Sequence, residues 1–146
     1  MISFKTILVP IDFEAQSKHA IDVAIDLAIQ SGGTVRLLHV WDLPVYPYTT
    51  LEAPMPDLSI PTEKAAAREL AAVVDEAKKK LASVTGTLVR GEPWREIIAA
   101  VNASKPDLVV MGTHGRTGIE HYVLGSVAEK VVRSSRSPVL TLGLHP

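Results

Sequence analysis

A stretch near the end of the chain, GTHGRTGIEHYVLGS, contains Gly112, Gly115 and Gly125 and ends in Ser126. Glycines allow a ligand to approach backbone N–H groups closely, and an apolar helical pattern begins at the serine. Together these features can hold a phosphate, because a helix N-terminus attracts anions and exposed N–H groups donate to them. Turn geometry for the glycines and a helix cap for Ser126 explain the same spacing, so the motif alone leaves both readings open.

The rest of the chain predicts the fold that positions this stretch. Short β-branched runs without polar alternation are typical of buried parallel strands, and they occur at 6–10, 34–40, 86–90, 107–111 and 139–142. Helical periodicity separates them, with helices beginning near Ser17, Ser59, Pro93 and Ser126. The last of these helices is expected to present one apolar face, made of Val127, Ala128, Val131 and Val132.

This alternation predicts a single doubly wound α/β domain over residues 1–146, Rossmann-like, with a five-stranded parallel sheet and helices on both faces. A flavodoxin-like strand order, or its variant with the third strand outermost, places the ends of the first and fourth strands side by side. Ligands bind at such a switch in strand order, so the residues that follow these strands are the candidate site. A proline-rich segment at about 41–60 is predicted to be a long loop.

Composition narrows the classes of function. The net charge of −1 gives no basic field for nucleic acid or an anionic membrane, so neither is an expected partner. Without cysteine, disulfides, Cys-ligated zinc and thiol catalysis are excluded. The N-terminal residues do not form a signal-peptide core and no apolar run approaches the ~20 residues of a membrane span, which favours a cytoplasmic protein.

Two common nucleotide motifs are absent from the sequence. No GxxxxGK[ST] occurs, which argues against a P-loop NTPase, and no GxGxxG follows the first strand, which argues against the usual dinucleotide fold. The glycine-rich element follows the fourth strand instead.

The spacing G-x2-G-x9-G-S, together with the segments TILVPIDFEAQSKHAIDVAIDLA, RGEPWREII and DLVVMGTHGRTGIEHYVLGSVAEKVVRSSRSPVLTL, resembles the ATP-binding branch of the universal stress proteins. The resemblance covers nearly the whole chain and implies an adenine nucleotide-binding fold. It implies ATP, with or without Mg²⁺, as the ligand. The binding residues that it implies are Val9, Pro10, Ile11, Asp12, Val40, Met111, Gly112, Gly115, Arg116, Gly125, Ser126 and Val127.

Within this set, the resemblance implies that Asp12 accepts a hydrogen bond from a ribose hydroxyl, although an N-terminal cap of the first helix explains the same residue. It implies that Val40 lines the adenine pocket and that the glycines, Ser126 and Val127 hold the phosphates, with Arg116 adding charge. Phe13-Glu14 departs from the small pair that the family often has after the aspartate. Phe13 is expected either to crowd the entrance or to pack under the first helix.

A nucleotide-binding regulatory protein with little or no hydrolysis is the function that these features favour, because no catalytic set for phosphoryl transfer is recognisable. Two alternatives remain: a slow Mg²⁺-dependent ATPase that uses Asp12, and a nucleotide-independent holdase or scaffold. His114 and His121 are weak candidates for a catalytic base. The apolar final strand is a predicted sheet edge, and the family resemblance also implies a homodimer through it.

Overall fold

The computed structural model describes residues 2–43, 56–113 and 124–143. Five strands alternate with four helices over these ranges: β1 Thr6–Ile11, α1 Ala15–Ser31, β2 Thr34–Trp41, α2 Ser59–Lys78, β3 Thr85–Arg90, α3 Pro93–Ser104, β4 Leu108–Gly112, α4 Ser126–Ser134 and β5 Val139–Leu142. The predicted strands and helices are all present, with boundaries within two residues of those expected. The central part of the proline-rich segment, 44–55, lies outside the described residues.

All of the strand pairs are parallel, and the strand order is β3-β2-β1-β4-β5. This is the predicted variant with the third strand outermost. From β1 the chain first moves outward through β2 to β3 and then returns to the other side of β1 to form β4 and β5. The ends of β1 and β4 are therefore neighbours at the point where the strand order reverses.

Two apolar layers cover the two faces of the sheet. Because side chains alternate along a strand, Ile7, Val9 and Ile11 of β1 pack with α1 and α2, whereas Leu8 packs with α3 and α4. The central strands β1, β2 and β4 are mostly buried, which explains their continuous apolar runs, whereas the outer strands β3 and β5 are partly exposed. This arrangement confirms the predicted α/β fold with helices on both sides.

The helix ends follow local signals. Helix α1 begins at Ala15, two residues before the predicted start, and ends at Ser31. Its C-cap is Gly32, whose left-handed φ of 63° is one that glycine adopts without strain. The prediction for α4 is wrong at one residue. Val127, Ala128 and Val131 pack against the core, but Val132 is 45% exposed. In the described ranges, no helix has the length and apolar content needed to span a membrane.

Candidate functional site

A cavity of ≈ 810 Å³ lies at the carboxyl edge of the sheet, over the ends of β1, β2 and β4. Nine of the predicted binding residues line it: Pro10, Ile11, Asp12, Val40, Met111, Gly112, Gly125, Ser126 and Val127. Val9 does not line the cavity. Its side chain is fully buried between the sheet and helices α1 and α2. Gly115 and Arg116, like His114 and His121, lie outside the described residues. The cavity volume is within the usual range for small-molecule sites.

A second cavity, of ≈ 410 Å³, lies at the opposite edge of the sheet between the end of α3 and the segment that precedes β5. It contains none of the predicted site residues. In an open parallel sheet, ligands bind outside the carboxyl ends of the strands, so the larger cavity is the candidate site.

Asp12 is the first polar residue after β1, and a local hydrogen-bond ring fixes its carboxylate. Its Oδ1 accepts from the Glu14 amide at 3.0 Å and from the Ser17 hydroxyl at 2.7 Å, while the Asp12 amide donates to the Ser17 hydroxyl oxygen at 2.9 Å. The N-cap position of α1 is occupied by Glu14, not by Asp12. Asp12 therefore supports the start of the helix from two residues upstream. Within the described residues, Oδ2 takes no part in this ring, and it can accept from a ligand hydroxyl.

The start of α4 forms the opposite side of the cavity. Gly125 is the N-cap residue, no side chain caps the helix, and Ser126 is its first residue, so the interpretation of Ser126 as a cap is wrong. The first intrahelical bond joins the Glu129 amide to the Gly125 carbonyl at 2.9 Å. The amides of Ser126, Val127 and Ala128 therefore have no acceptor inside the helix, and all three residues line the cavity.

Gly125 itself has a different role from the predicted one. Its amide donates to the Thr113 carbonyl at 2.6 Å, and the Thr113 amide donates to the Leu142 carbonyl at 3.0 Å. The Gly125 N–H is thus already used to connect the start of α4 to the end of β4. The groups here that could still donate to a bound anion are the amides of the first turn of α4 and the Ser126 hydroxyl.

The structure also explains Gly112 by packing. The end of β4 passes so close to Gln16 of α1 that a β-carbon at position 112 would overlap the glutamine side chain. A larger residue at this position therefore disturbs the packing of β4 on α1 as well as any bound ligand. The glycine is required for contact between β4 and α1, whatever it does for a phosphate.

Sequence reasoning missed one partner at the β1 exit, His39. Its ring is 8% exposed, it lines the cavity, and it lies 4.1 Å from the Phe13 ring between centroids, with the planes tilted by 40°. The sequence analysis singled out Phe13 as unusual. In the structure its ring is partly buried and packs against the core on the α1 side of the sheet, as one of the two expectations had it. The sequence near Phe13 carries no signal that would predict its contact with His39 on β2.

Arg90, at the end of β3, contacts Trp41 and Asp42 at the end of β2. Its Cζ lies 5.2 Å from the Trp41 ring centroid, and its Nε lies 3.3 Å from Oδ1 of Asp42. The pKa of Asp57 is lowered, chiefly by hydrogen bonds from the Ser59 hydroxyl and amide, with a smaller contribution from the charge of Arg90. Both aspartates are exposed, so these contacts contribute little to the stability of the fold.

The chemistry of the cavity is that of a binding site. Its lining includes the first turn of α4, whose amides have no acceptor within the helix, the Ser126 hydroxyl, the Asp12 carboxylate and several apolar side chains. In the part of the chain that the structure describes, no group of three or more His, Asp or Glu residues is arranged to hold a metal ion. The arrangement is suited to a ligand that has an anionic group at one end and hydroxyl donors at the other.

Fold and cavity define the class of protein: a doubly wound α/β domain with a cavity at the switch in strand order. The sequence profile described as "Universal stress protein family" matches residues 3–142, and the chain belongs to that family. It is 30% identical over 139 residues to the universal stress protein MJ0531 of Methanocaldococcus jannaschii, covering 95% of this chain and 82% of the relative.

Solved structures share the fold. The hypothetical protein MJ0577, from the same organism, superposes with a TM-score of 0.76 at 25% identity, with 99% of each chain covered. A universal stress protein from Archaeoglobus fulgidus in complex with dAMP superposes with a TM-score of 0.66 at 24% identity, covering 97% of this chain and 98% of the other. These likenesses confirm the five-stranded parallel architecture.

Proposed function

We propose that this chain is an adenine nucleotide-binding regulatory protein that holds ATP across the ends of β1 and β4, with little or no hydrolysis. The observation that carries the proposal is the pairing, in one cavity, of the open first turn of α4 with the Asp12 carboxylate. The α4 amides and the Ser126 hydroxyl suit the phosphates, and Oδ2 of Asp12 suits a ribose hydroxyl.

Apolar residues of the same cavity suit the base. Val40 and Met111 both pack on the α3 and α4 face of the sheet, and both line the cavity. Proteins of the same fold have been solved in complex with dAMP and with cAMP, which supports an adenine nucleotide as the class of ligand. Regulation would follow if an occupied site orders the segments on either side of the cavity differently from an empty one.

Calorimetric titration of the full chain with ATP, ADP and AMP tests the binding. We expect saturable binding of at least one nucleotide below millimolar concentration. No heat of binding from any of the three at millimolar nucleotide would contradict the proposal and favour the scaffold alternative. Mass spectrometry of whatever copurifies with the protein identifies the nucleotide held in the cell.

Turnover is tested separately from binding, with Mg²⁺ present. We expect release of phosphate far below the rates of ordinary enzymes, whose kcat is typically about 1 s⁻¹ or more. A kcat in that ordinary range, lost in Asp12→Asn while affinity is largely kept, would support the ATPase alternative instead.

We also propose a homodimer that forms through β5. This strand lies at the edge of the sheet, and Leu140 within it is 37% exposed. An apolar edge strand offers unpaired backbone groups to a second chain. Light scattering at micromolar concentration should give twice the mass of the chain.

A further inference from the structure

Phe13 has a backbone conformation that L-residues with a side chain seldom adopt. Its φ is +66°, in the left-handed region, and it immediately follows Asp12. A β-carbon is strained there, and glycine would occupy the same position without that strain. Strained residues of this kind persist where the surrounding structure holds them, and they cluster at ligand sites.

His39 is the residue that holds this turn. Its Nδ1 lies 2.8 Å from the Ile11 carbonyl oxygen, and its ring packs against the Phe13 ring in a tilted arrangement. A carbonyl oxygen can only accept, so this hydrogen bond requires the proton on Nδ1. One buried side chain thus contacts the residues on both sides of Asp12, through the Ile11 carbonyl and the Phe13 ring.

The position of this pair in the sheet relates it to one end of the candidate site. β2, which carries His39, pairs with β1 on the side opposite to β4. The open amides of α4 follow β4, so the anion-binding groups lie on one side of Asp12 and the Phe13–His39 pair on the other. Phe13 is half-buried, and it lines the cavity.

We infer that Phe13 is a specificity-determining residue whose ring forms an aromatic wall for the nucleoside end of the ligand, and that His39 is the positioning residue that holds this wall. This inference rests on the proposed nucleotide binding and adds the group that distinguishes a nucleotide from a bare polyphosphate. A planar ring gives a base a stacking surface at little entropic cost.

Three substitutions at position 13 test the wall. Phe13→Ala and Phe13→Gly both remove the ring, whereas Phe13→Tyr retains it. With calorimetry on the full chain, we expect the affinity for ATP to fall about tenfold in the first two variants and to stay within about twofold in the third. Inorganic tripolyphosphate, which has no nucleoside, should bind all three variants as it binds the unsubstituted chain.

Thermal unfolding separates strain from ligand contact in the same variants. Since glycine avoids the left-handed penalty, Phe13→Gly should unfold a few degrees above Phe13→Ala, although both lose the same ring. An ATP affinity that is unchanged in both variants overturns the inference, as does an equal loss of tripolyphosphate affinity. If the unsubstituted chain binds tripolyphosphate but not ATP, or binds neither, the proposed function fails and this inference with it.

His39 is tested by the ratio of ATP affinity to tripolyphosphate affinity, which a general loss of stability does not move. His39→Leu removes the donor to the Ile11 carbonyl and should lower the ratio several-fold. His39→Asn retains an N–H donor near the Nδ1 position and should recover part of the loss. If both variants keep the ratio of the unsubstituted chain, His39 has no positioning role.

Discussion

Gly112 lies so close to Gln16 of α1 that a β-carbon at position 112 would stand 2.7 Å from the glutamine Oε1 and 2.9 Å from its Cβ. Such distances are too short for non-bonded atoms, so either β4 or α1 has to shift. A glycine of the phosphate-binding spacing is therefore also a packing residue. Substitution at this position changes both the fold and the site.

We expect Gly112→Ala to lower the midpoint of thermal unfolding, with a cost of about 1–3 kcal/mol for overpacking. Adding Gln16→Gly to this variant removes the side-chain atoms that would overlap. Position 16 lies in the first turn of α1, where glycine is tolerated better than in a helix interior. The double variant should recover part of the stability. If Gly112→Ala unfolds at the temperature of the unsubstituted chain, the close contact does not constrain position 112.

Ser126 offers a cleaner test of phosphate binding, because its hydroxyl does not cap α4. Ser126→Ala should leave the free energy of unfolding within about 0.5 kcal/mol of the original value. It should lower ATP affinity roughly tenfold, since a hydrogen bond to a charged phosphate is lost. Calorimetry and thermal unfolding measure the two effects.

Ser134→Ala, at the exposed far end of the same helix, is the matched control for Ser126→Ala. It should change neither quantity. Equal ATP affinity in the two variants would show that the Ser126 hydroxyl does not contact the nucleotide.

Asp12 has two oxygens with different roles, and two substitutions separate them. Asp12→Asn retains one carbonyl oxygen for the Glu14 amide and the Ser17 hydroxyl and replaces the other oxygen by an amide donor. Asp12→Ala removes both. We expect Asp12→Asn to fold with nearly the original stability and to bind ATP about tenfold more weakly, whereas Asp12→Ala loses stability as well.

A ligand that lacks ribose hydroxyls completes this comparison. If Oδ2 accepts from the ribose, the unsubstituted chain should prefer ATP to 2′,3′-dideoxy-ATP, and Asp12→Asn should show no such preference. Additive effects of the protein and ligand changes would mean that Asp12 and the ribose do not interact.

Much of the fold could be predicted from the sequence because local signals and the tertiary fold agree. Buried parallel strands require continuous apolar runs, and Gly32 and Pro93 mark the end of α1 and the start of α3. The predicted apolar face of α4 failed at Val132, because periodicity in a nine-residue helix does not define the edge of the buried stripe.

The site was predicted less completely than the fold, because its contacts join residues that are distant in the chain. His39 and Ile11 are 28 positions apart, and only the pairing of β1 with β2 brings them together. The Gly125 amide donates to the Thr113 carbonyl, a hydrogen bond that the spacing of the glycines does not reveal. Spacing identifies the residues of a motif but not which of their N–H groups remain available.

Asp107 gives the fold a defined response to acid. Its pKa is lowered, first by the hydrogen bond from the Thr6 amide and then by those from the Lys5 amide and the Thr6 hydroxyl. The carboxylate therefore stabilises the fold at pH values above its ordinary pKa of 3.8, and this contribution is lost as the pH falls through the lower folded value.

Asp107→Asn should accordingly flatten the fall in unfolding temperature as the pH drops below about 4, relative to the unsubstituted chain. Asp75→Asn, an exposed substitution on α2, is the control and should leave the slope as it is. Identical acid limbs in the Asp107 variant and the unsubstituted chain would contradict the prediction.

The proposed dimer can be tested without altering the core, because the ladder between β4 and β5 shows which groups of β5 face outward. The Val109 amide donates to the Pro138 carbonyl and the Thr113 amide donates to the Leu142 carbonyl. In a parallel ladder, alternate residues bond to the same neighbour, so the Thr141 amide faces the free edge.

Thr141→Pro removes that donor, and an edge strand tolerates proline. We expect light scattering at micromolar concentration to give a monomer for Thr141→Pro and a dimer for Thr141→Val, with circular dichroism unchanged. A dimer in both variants would show that pairing through β5 does not hold the two chains together.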